Sequence, residues 1–305
     1  MKSPLTGQDD AGLLHVLSPA DIAERWKQSL GNEVGPDFRA IPAIEYWRCK
    51  NTGLAWYTPL EAAGGGELYA QLERLDWYYM ADKWEFRAAL RALPPGARVL
   101  EVGVGSGHFL QAASERGLSV SGVELNPSAA ARVRARRFEV IETDLHDLAT
   151  RLEQPFDAVC AFQVLEHVPD PRGLLEGMLA VLRPGGRLML SVPNAAVMRV
   201  IDPGRRNMFD MPPHHVSHWD EDVSRALEPL LPVRLVAVHR EPLAPYHVGW
   251  FVSAYAGVLR QRWGRALGRL ALNRWTLRSA RWALALGGHY LVPGHTLLVV
   301  LELNT

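Results

Sequence analysis

Short apolar runs at 98–102, 119–124, 138–141, 156–161 and 187–192 alternate with helical stretches at 106–116, 127–136 and 171–182. Runs of that length, bounded by turn residues, read as strands buried on both faces. Repeated strand–helix alternation implies right-handed crossovers and a doubly wound α/β sheet. Two further β-like runs, 232–239 and 296–303, flank a long arginine-rich helical segment. Ahead of the alternation, 18–30 begins like a helix, with Ser18 as cap and Pro19 in the first turn. An aromatic-rich helical pattern from Glu67 to Leu93 then stops at Pro94, Pro95 and Gly96, the expected domain boundary. The expected units are a leader over 1–94, a core over 95–243, a basic helical insert over 244–294 and a last core strand over 295–305.

The first strand runs into glycines at Gly103, Gly105 and Gly107, and a helix follows. Glycine permits the positive φ of a tight turn and close approach of a ligand to the backbone, and the helix behind the turn offers unpaired N–H groups. The spacing is GxGxG with Glu101 two residues earlier; a dinucleotide fingerprint would need its third glycine at His108. Glu124 ends the next apolar run, where a carboxylate can accept both hydroxyls of a ribose. Glu101 beside the loop suits an ammonium group better than a phosphate.

On these residues the chain resembles the class I S-adenosylmethionine-dependent methyltransferases over 97–192. The likeness extends through Thr143-Asp144-Leu145, Phe156-Asp157-Ala158-Val159, Leu165-Glu166-His167-Val168-Pro169-Asp170-Pro171 and Leu182-Arg183-Pro184-Gly185-Gly186. The resemblance implies a Rossmann-like seven-stranded sheet of order 3-2-1-4-5-7-6 whose last strand is antiparallel. It implies S-adenosyl-L-methionine as cofactor, with Asp144 at the adenine amino group, Leu125 and Leu145 flanking the ring, and Phe162 and Gln163 near the methionine end. Glu101, Gly103, Gly105, Gly107, His108 and Glu124 complete the expected cofactor set.

Methyl transfer from a sulfonium is an in-line displacement that needs positioning, exclusion of water and often removal of an acceptor proton. Two clusters offer such a group: Glu166 with His167 after the fourth strand, and His214 with His215 in Pro212-Pro213-His214-His215-Val216-Ser217-His218-Trp219. Ser217 is also placed to cap the helix that follows. Ubiquinone-biosynthesis O-methyltransferases resemble the first cluster but carry Glu-x-x-Glu-His, which binds a divalent ion; Gln163 stands where the first glutamate would be. In the leader, Tyr46-Trp47-Arg48-Cys49-Lys50-Asn51-Thr52-Gly53-Leu54 resembles half of a zinc ribbon, with Thr52 replacing its second cysteine. Four-coordinate zinc needs more ligands than this segment has, so no metal is expected. Asp76-Trp77-Tyr78-Tyr79 through Lys83-Trp84-Glu85 resembles the helix that covers the cofactor in the same group.

Formal net charge is zero, which removes a global argument for nucleic acid. The distribution is uneven, however: no carboxylate lies between Glu241 and Glu302, while Arg260, Arg262, Arg265, Arg269, Arg274, Arg278 and Arg281 do. These arginines suit a phosphate-bearing small-molecule or saccharide acceptor, or peripheral contact with an anionic membrane. The uncharged stretch Trp282 to Leu301 is broken by Gly287, Gly288, Pro293 and Gly294, which argues against a spanning helix. Two cysteines and an acidic N-terminus without an apolar segment point to a cytoplasmic protein. The expected activity is methyl transfer to a hydroxyl of a small or glycan-type acceptor. A nicotinamide-dependent oxidoreductase and a non-catalytic binding protein of the same fold are the competing readings.

Overall fold

The computed structural model describes residues 1–31, 38–75, 78–205, 207–264, 268 and 270–305. The leader forms β1 (Ala11–Leu17), helix α1 (Pro19–Leu30), β2 (Ile44–Cys49), β3 (Ala55–Thr58) and α2 (Gly66–Leu72). After α3 (Trp84–Ala92) the core runs β4 (Arg98–Val102), α4 (His108–Ser114), β5 (Ser119–Val123), α5 (Pro127–Ala135), β6 (Glu139–Ile141) and α6 (Leu145–Arg151). It continues with β7 (Phe156–Phe162), α7 (Pro171–Ala180), β8 (Leu182–Pro193) and α8 (Ala195–Ile201). The last elements are β9 (Ser217–His218), α9 (Glu221–Arg225), β10 (Val233–Pro242), α10 (Val248–Trp263), α11 (Arg274–Ala285) and β11 (Pro293–Leu303).

Seven strands form the large sheet in the order β10-β11-β8-β7-β4-β5-β6, which, counting core strands only, is 3-2-1-4-5-7-6 read from the other edge. β11 is antiparallel to both neighbours, and the pairs among β4 to β8 are parallel. Alternate residues of the central strands enter two different cores. Leu100, Val159, Leu188 and Val299 pack on one face, and Val99, Ala158, Met189 and Val300 on the other. Burial on both faces is why these segments are apolar throughout, with no polar alternation. The parallel strands all end on one edge, so their following loops gather there, as ligand sites do in open α/β sheets.

β1, β2, β3 and β9 make a second, antiparallel sheet, in which Trp56 and Ala55 of the leader pair with Ser217 and His218. Leu54, Trp56 and Cys49 belong to the same apolar cluster as the core strands. The turn after Cys49 closes through hydrogen bonds: its thiol donates to Asp10 Oδ2 at 3.1 Å and accepts from the Thr52 N–H at 3.3 Å. Gly53, at φ +79°, lets the chain reverse into Leu54.

Some local expectations need correction. The pattern from Glu67 to Leu93 is two helices, α2 and α3, and residues 73–75 and 78–83 between them are not helical. Tertiary contact overrides propensity there, because Tyr78 and Tyr79 both turn into the cavity described below. Asp76 and Trp77 of the proposed covering helix lie outside the described residues, as do Arg265 and Arg269 of the insert. Ser217 does not cap α9. It lies in β9, donates to the Leu165 carbonyl and accepts from Trp219 Nε1, while Asp220, adjacent to the helix, caps it by accepting from the Val223 N–H. The Asp144 side chain caps α6, a helix missing from the sequence pattern, by accepting from the His146 N–H at 2.7 Å. Ser18 does cap α1, accepting from the Asp21 N–H. Among the described residues no helix is long and apolar enough to cross a membrane.

Candidate active site

A cavity of about 1290 Å³ opens at the carboxyl edge of the large sheet, between the strand-end loops and the segment that carries Tyr78 and Tyr79. Its floor at one end is the glycine turn. Gly103, Gly105 and Gly107 all have positive φ, at +76°, +51° and +71°. At Gly105 a Cβ would sit 2.9 Å from the ring of Tyr79, so the aromatic side chain lies directly on the turn. Glu124 braces this turn from β5: its carboxylate accepts the Gly105 N–H at 3.3 Å and the Asn126 N–H at 2.9 Å. Each oxygen keeps a lone pair for a further donor, which is what a bidentate ribose contact requires.

Gly103, Gly105, Glu124, Leu125, Asp144, Leu145, Phe162 and Gln163 all line the cavity. Leu125 is 70% exposed and Leu145 buried, an apolar pair at one end of it. Asp144 spends one carboxylate oxygen on the α6 cap and keeps the other free. Gln163 adopts φ +56°, a conformation a non-glycine residue rarely holds. Ser191 on β8 fixes it there, accepting the Gln163 N–H at its carbonyl (3.0 Å) and the side-chain Nε2 at its hydroxyl (3.2 Å). Strained backbone at a strand end marks a place where position matters more than comfort. Phe162 packs against Phe86 and Phe109 and forms the apolar wall behind it.

Glu101, Gly107 and His108 are not part of the cavity lining. Glu101 is buried under the turn, one of its oxygens has no partner, and burial pushes its carboxyl well above the usual range. Gly107 is tied to structure differently: a Cβ there would meet Val133 at 3.0 Å, so its role is close packing of α4 against α5.

The other end of the cavity carries both expected catalytic clusters, brought side by side. Val216 N–H donates to the Glu166 carbonyl (2.7 Å), and Tyr57 N–H of the leader donates to the Val216 carbonyl (2.9 Å). The leader therefore clamps the His214–His215 loop onto the turn at Leu165–His167. Gly64 completes the clamp, donating to the Pro213 carbonyl at 2.7 Å with no room for a Cβ. His167, His214 and His215 form a ring cluster with centroids 4.4 to 5.0 Å apart.

Burial makes all three imidazoles less basic, with His167 lowered to about 3 by burial and then by His215. They are neutral at pH 7. Glu166 is 1% exposed, and burial raises its carboxyl to about 8. Asp210 behaves in the opposite way. Burial works against its ionisation, but His218 and His215 outweigh that and hold the carboxyl well below the usual range.

Sequence reasoning missed Asp210, and it offered Tyr78, Tyr79 and Lys83 only as part of a covering helix, without a role for any of them. Tyr78 hydroxyl donates to His214 Nε2 at 2.9 Å, and Asp210 accepts from His215 Nδ1 at 3.4 Å. Only the covering resemblance hinted at the tyrosines, and nothing local marks Asp210 as the partner of a histidine five residues away. Lys83 and Arg132 are the cationic lining residues, against Glu73, Glu85, Glu124, Asp144, Glu166 and Glu241 among the acids. Arg132 is further neutralised by Glu73 at 2.5 Å. Burial raises Glu166 to about 8 and Glu241 to about 7, which weakens their part in this wall, and the other carboxylates still favour a cationic ligand over an anionic one.

Replacing Glu124 by Ala removes the brace and both remaining lone pairs. Affinity for S-adenosylhomocysteine is expected to fall by about 1.5–3 kcal/mol, the range for hydrogen bonds to a charged group, without loss of fold. Calorimetric titration measures it, and an unchanged dissociation constant means the ribose site lies elsewhere.

A family profile described as a methyltransferase domain matches residues 72–228. The ubiquinone biosynthesis O-methyltransferase of Xanthomonas campestris is 38% identical over 112 residues, covering 35% of this chain and 47% of that protein. Its counterpart in Xylella fastidiosa is 37% identical over 105 residues, with 32% and 43% covered. The chain thus spans about half the length of the curated relatives it matches. A SAM-dependent methyltransferase from Archaeoglobus fulgidus superposes with TM-score 0.50 at 16% identity, covering 77% of this chain and 99% of that one, which is a likeness of fold. The profile spans the glycine turn, Glu124, Asp144 and both histidine-bearing loops, and the chain belongs to the methyltransferase-domain family.

Proposed function

We propose that the chain transfers a methyl group from S-adenosylmethionine to a hydroxyl of a small, uncharged acceptor. The observation that carries this reading is the continuity of one cavity from the braced glycine turn to His215. Ribose binds at Glu124, adenine lies between Leu125 and Leu145 with its amino group at Asp144, and the sulfonium end reaches Phe162 and Gln163. The acceptor oxygen attacks the methyl carbon as the carbon–sulfur bond breaks, leaving S-adenosylhomocysteine. His215 takes the hydroxyl proton: Asp210 accepts from its Nδ1, so Nε2 keeps a lone pair, and burial keeps the ring neutral and ready. The O-methylation for which these relatives are named supports a hydroxyl as the acceptor class. Incubation with methyl-labelled cofactor and a panel of phenols, saccharides and amines tests this; label found only on amines contradicts it.

The cavity's acidic wall disfavours a phosphate-bearing acceptor, and none of the insert's described arginines lines it. Their surroundings favour the other use of these residues. On α11 no residue is buried, Trp275 and Trp282 are 62% and 59% exposed, and Leu286 and Leu291 are exposed beyond them. Aromatic and aliphatic side chains interleaved with Arg274, Arg278 and Arg281, in a stretch of sequence without a carboxylate from 242 to 301, fit the interface of an anionic bilayer. Charge reversal at these three arginines is expected to abolish binding to phosphatidylglycerol vesicles while S-adenosylhomocysteine affinity stays within about twofold. Loss of turnover on a soluble acceptor, with vesicle binding intact, would instead restore the phosphate-bearing acceptor.

A further inference from the structure

We propose that His167, His214 and His215 bind one divalent transition-metal ion, with the buried Glu166 carboxyl beside them. The ligand atoms of the three histidines lie within 4.8 Å of one another, although 47 residues separate the first from the second. Each ring is held from behind. His167 Nδ1 donates to the His214 carbonyl at 2.6 Å, His214 Nδ1 to the Phe209 carbonyl at 2.9 Å, and His215 Nδ1 to the Asp210 carboxylate at 3.4 Å. Carbonyls and carboxylates only accept, so Nδ1 carries the proton in all three rings and Nε2 keeps its lone pair. Tethering of one ring nitrogen to an oxygen, with the other left free, is the arrangement that orients metal-binding imidazoles.

Glu166 is the second, independent observation. Its side chain is 1% exposed and neither carboxylate oxygen has a hydrogen-bond partner, while Oε1 lies 3.8 Å from His167 Nε2. A buried carboxyl with neither oxygen partnered, beside the His167 Nε2 lone pair, is a polar group that a nearby cation would stabilise. At the ~2.1 Å bond, ring nitrogens on a tetrahedral zinc ion lie about 3.4 Å apart, so a pair 4.8 Å apart closes by about 1.4 Å on binding. The ion also replaces the Tyr78 hydroxyl as partner of His214 Nε2. Imidazole donors select zinc, cobalt, nickel or iron over magnesium and calcium. Gln163, whose presence argued against a metal from sequence, is not one of these ligands; the imidazoles come from a loop that the sequence does not place beside it.

The inference deepens the methyl-transfer reading by giving the acceptor oxygen a place to bind. His167, His214 and His215 would hold the ion at the acceptor end of the cavity, where it would make an acceptor hydroxyl more acidic, and the released proton would go to water. In the loaded chain this replaces direct proton uptake by His215.

The test uses the full chain equilibrated with cobalt(II) or zinc and then gel-filtered. One tightly held equivalent is expected, and the cobalt form should show the intense visible bands of a four- or five-coordinate nitrogen site. His214→Ala and His215→Ala should each weaken binding at least about tenfold, and Cys49→Ser should leave it unchanged. No stoichiometric, chelator-sensitive binding by the unsubstituted chain overturns the proposal. So does unchanged affinity in both histidine variants, or a weak octahedral spectrum from an all-oxygen site. If the variants fail to fold, the spectrum of the unsubstituted chain decides. Cobalt binding without S-adenosylhomocysteine binding would defeat the methyl-transfer reading and leave the metal site standing.

Discussion

Gly105→Val should raise the dissociation constant for S-adenosylhomocysteine by at least about a hundredfold, or ~3 kcal/mol. Two independent costs act at this position. The backbone sits at φ +51°, where a β-branched side chain is a strong outlier. A Cβ would also meet the Tyr79 ring at 2.9 Å, so either the turn or its aromatic cover must move. The turn in turn holds Glu124 through the Gly105 N–H, so a shifted turn takes the ribose contact with it. Gly105→Ala should fall between, because it carries the smaller branch at the same φ. Calorimetric titration reads the loss directly; affinity within about threefold of the unsubstituted chain would show that no ligand backbone approach occurs there.

His215→Ala should lower kcat by about 10²–10³-fold, the range for a positioned proton acceptor, with the cofactor dissociation constant unchanged. Burial holds the imidazole below its ordinary basicity, so the sign of the pH effect is fixed. The neutral, proton-accepting form persists as pH falls through 6.5, the ordinary histidine value, and the acid limb of kcat should lie lower still. Asp210→Asn should give a smaller loss and move that limb, since it removes the charge that favours protonation while leaving a group that can still accept from Nδ1. Rate loss in His215→Ala matched by an equal rise in KM would assign the residue to acceptor binding only.

The large sheet was legible because its physics is local. Val99–Val102 and Phe156–Phe162 are buried on both faces, and a strand in that environment has to be apolar along its length. The glycine turn was legible for the same kind of reason, since only glycine tolerates positive φ at 103, 105 and 107 together. Less legible was everything that depends on distant partners. Helix α6 is short and rests on the Asp144 cap, so it gives no apolar period. Tyr78 and Tyr79 sit in a stretch with helical composition whose conformation is set by His214 and Gly105 instead. Ser217 looked like a cap because the strand pairing that claims it comes from Trp56 of the leader. The histidine cluster is the sharpest case. Its rings converge only because Val216 hangs from the Glu166 carbonyl on one side and from Tyr57 of the leader on the other.

One measurement bears most directly on the central claim: calorimetric titration of the unsubstituted chain with S-adenosylhomocysteine and, separately, with NAD. The braced turn and a cavity whose lining arginine among the described residues, Arg132, is already paired with Glu73 predict micromolar or tighter binding of S-adenosylhomocysteine and no measurable binding of NAD. Micromolar NAD binding with no response to S-adenosylhomocysteine would contradict the account.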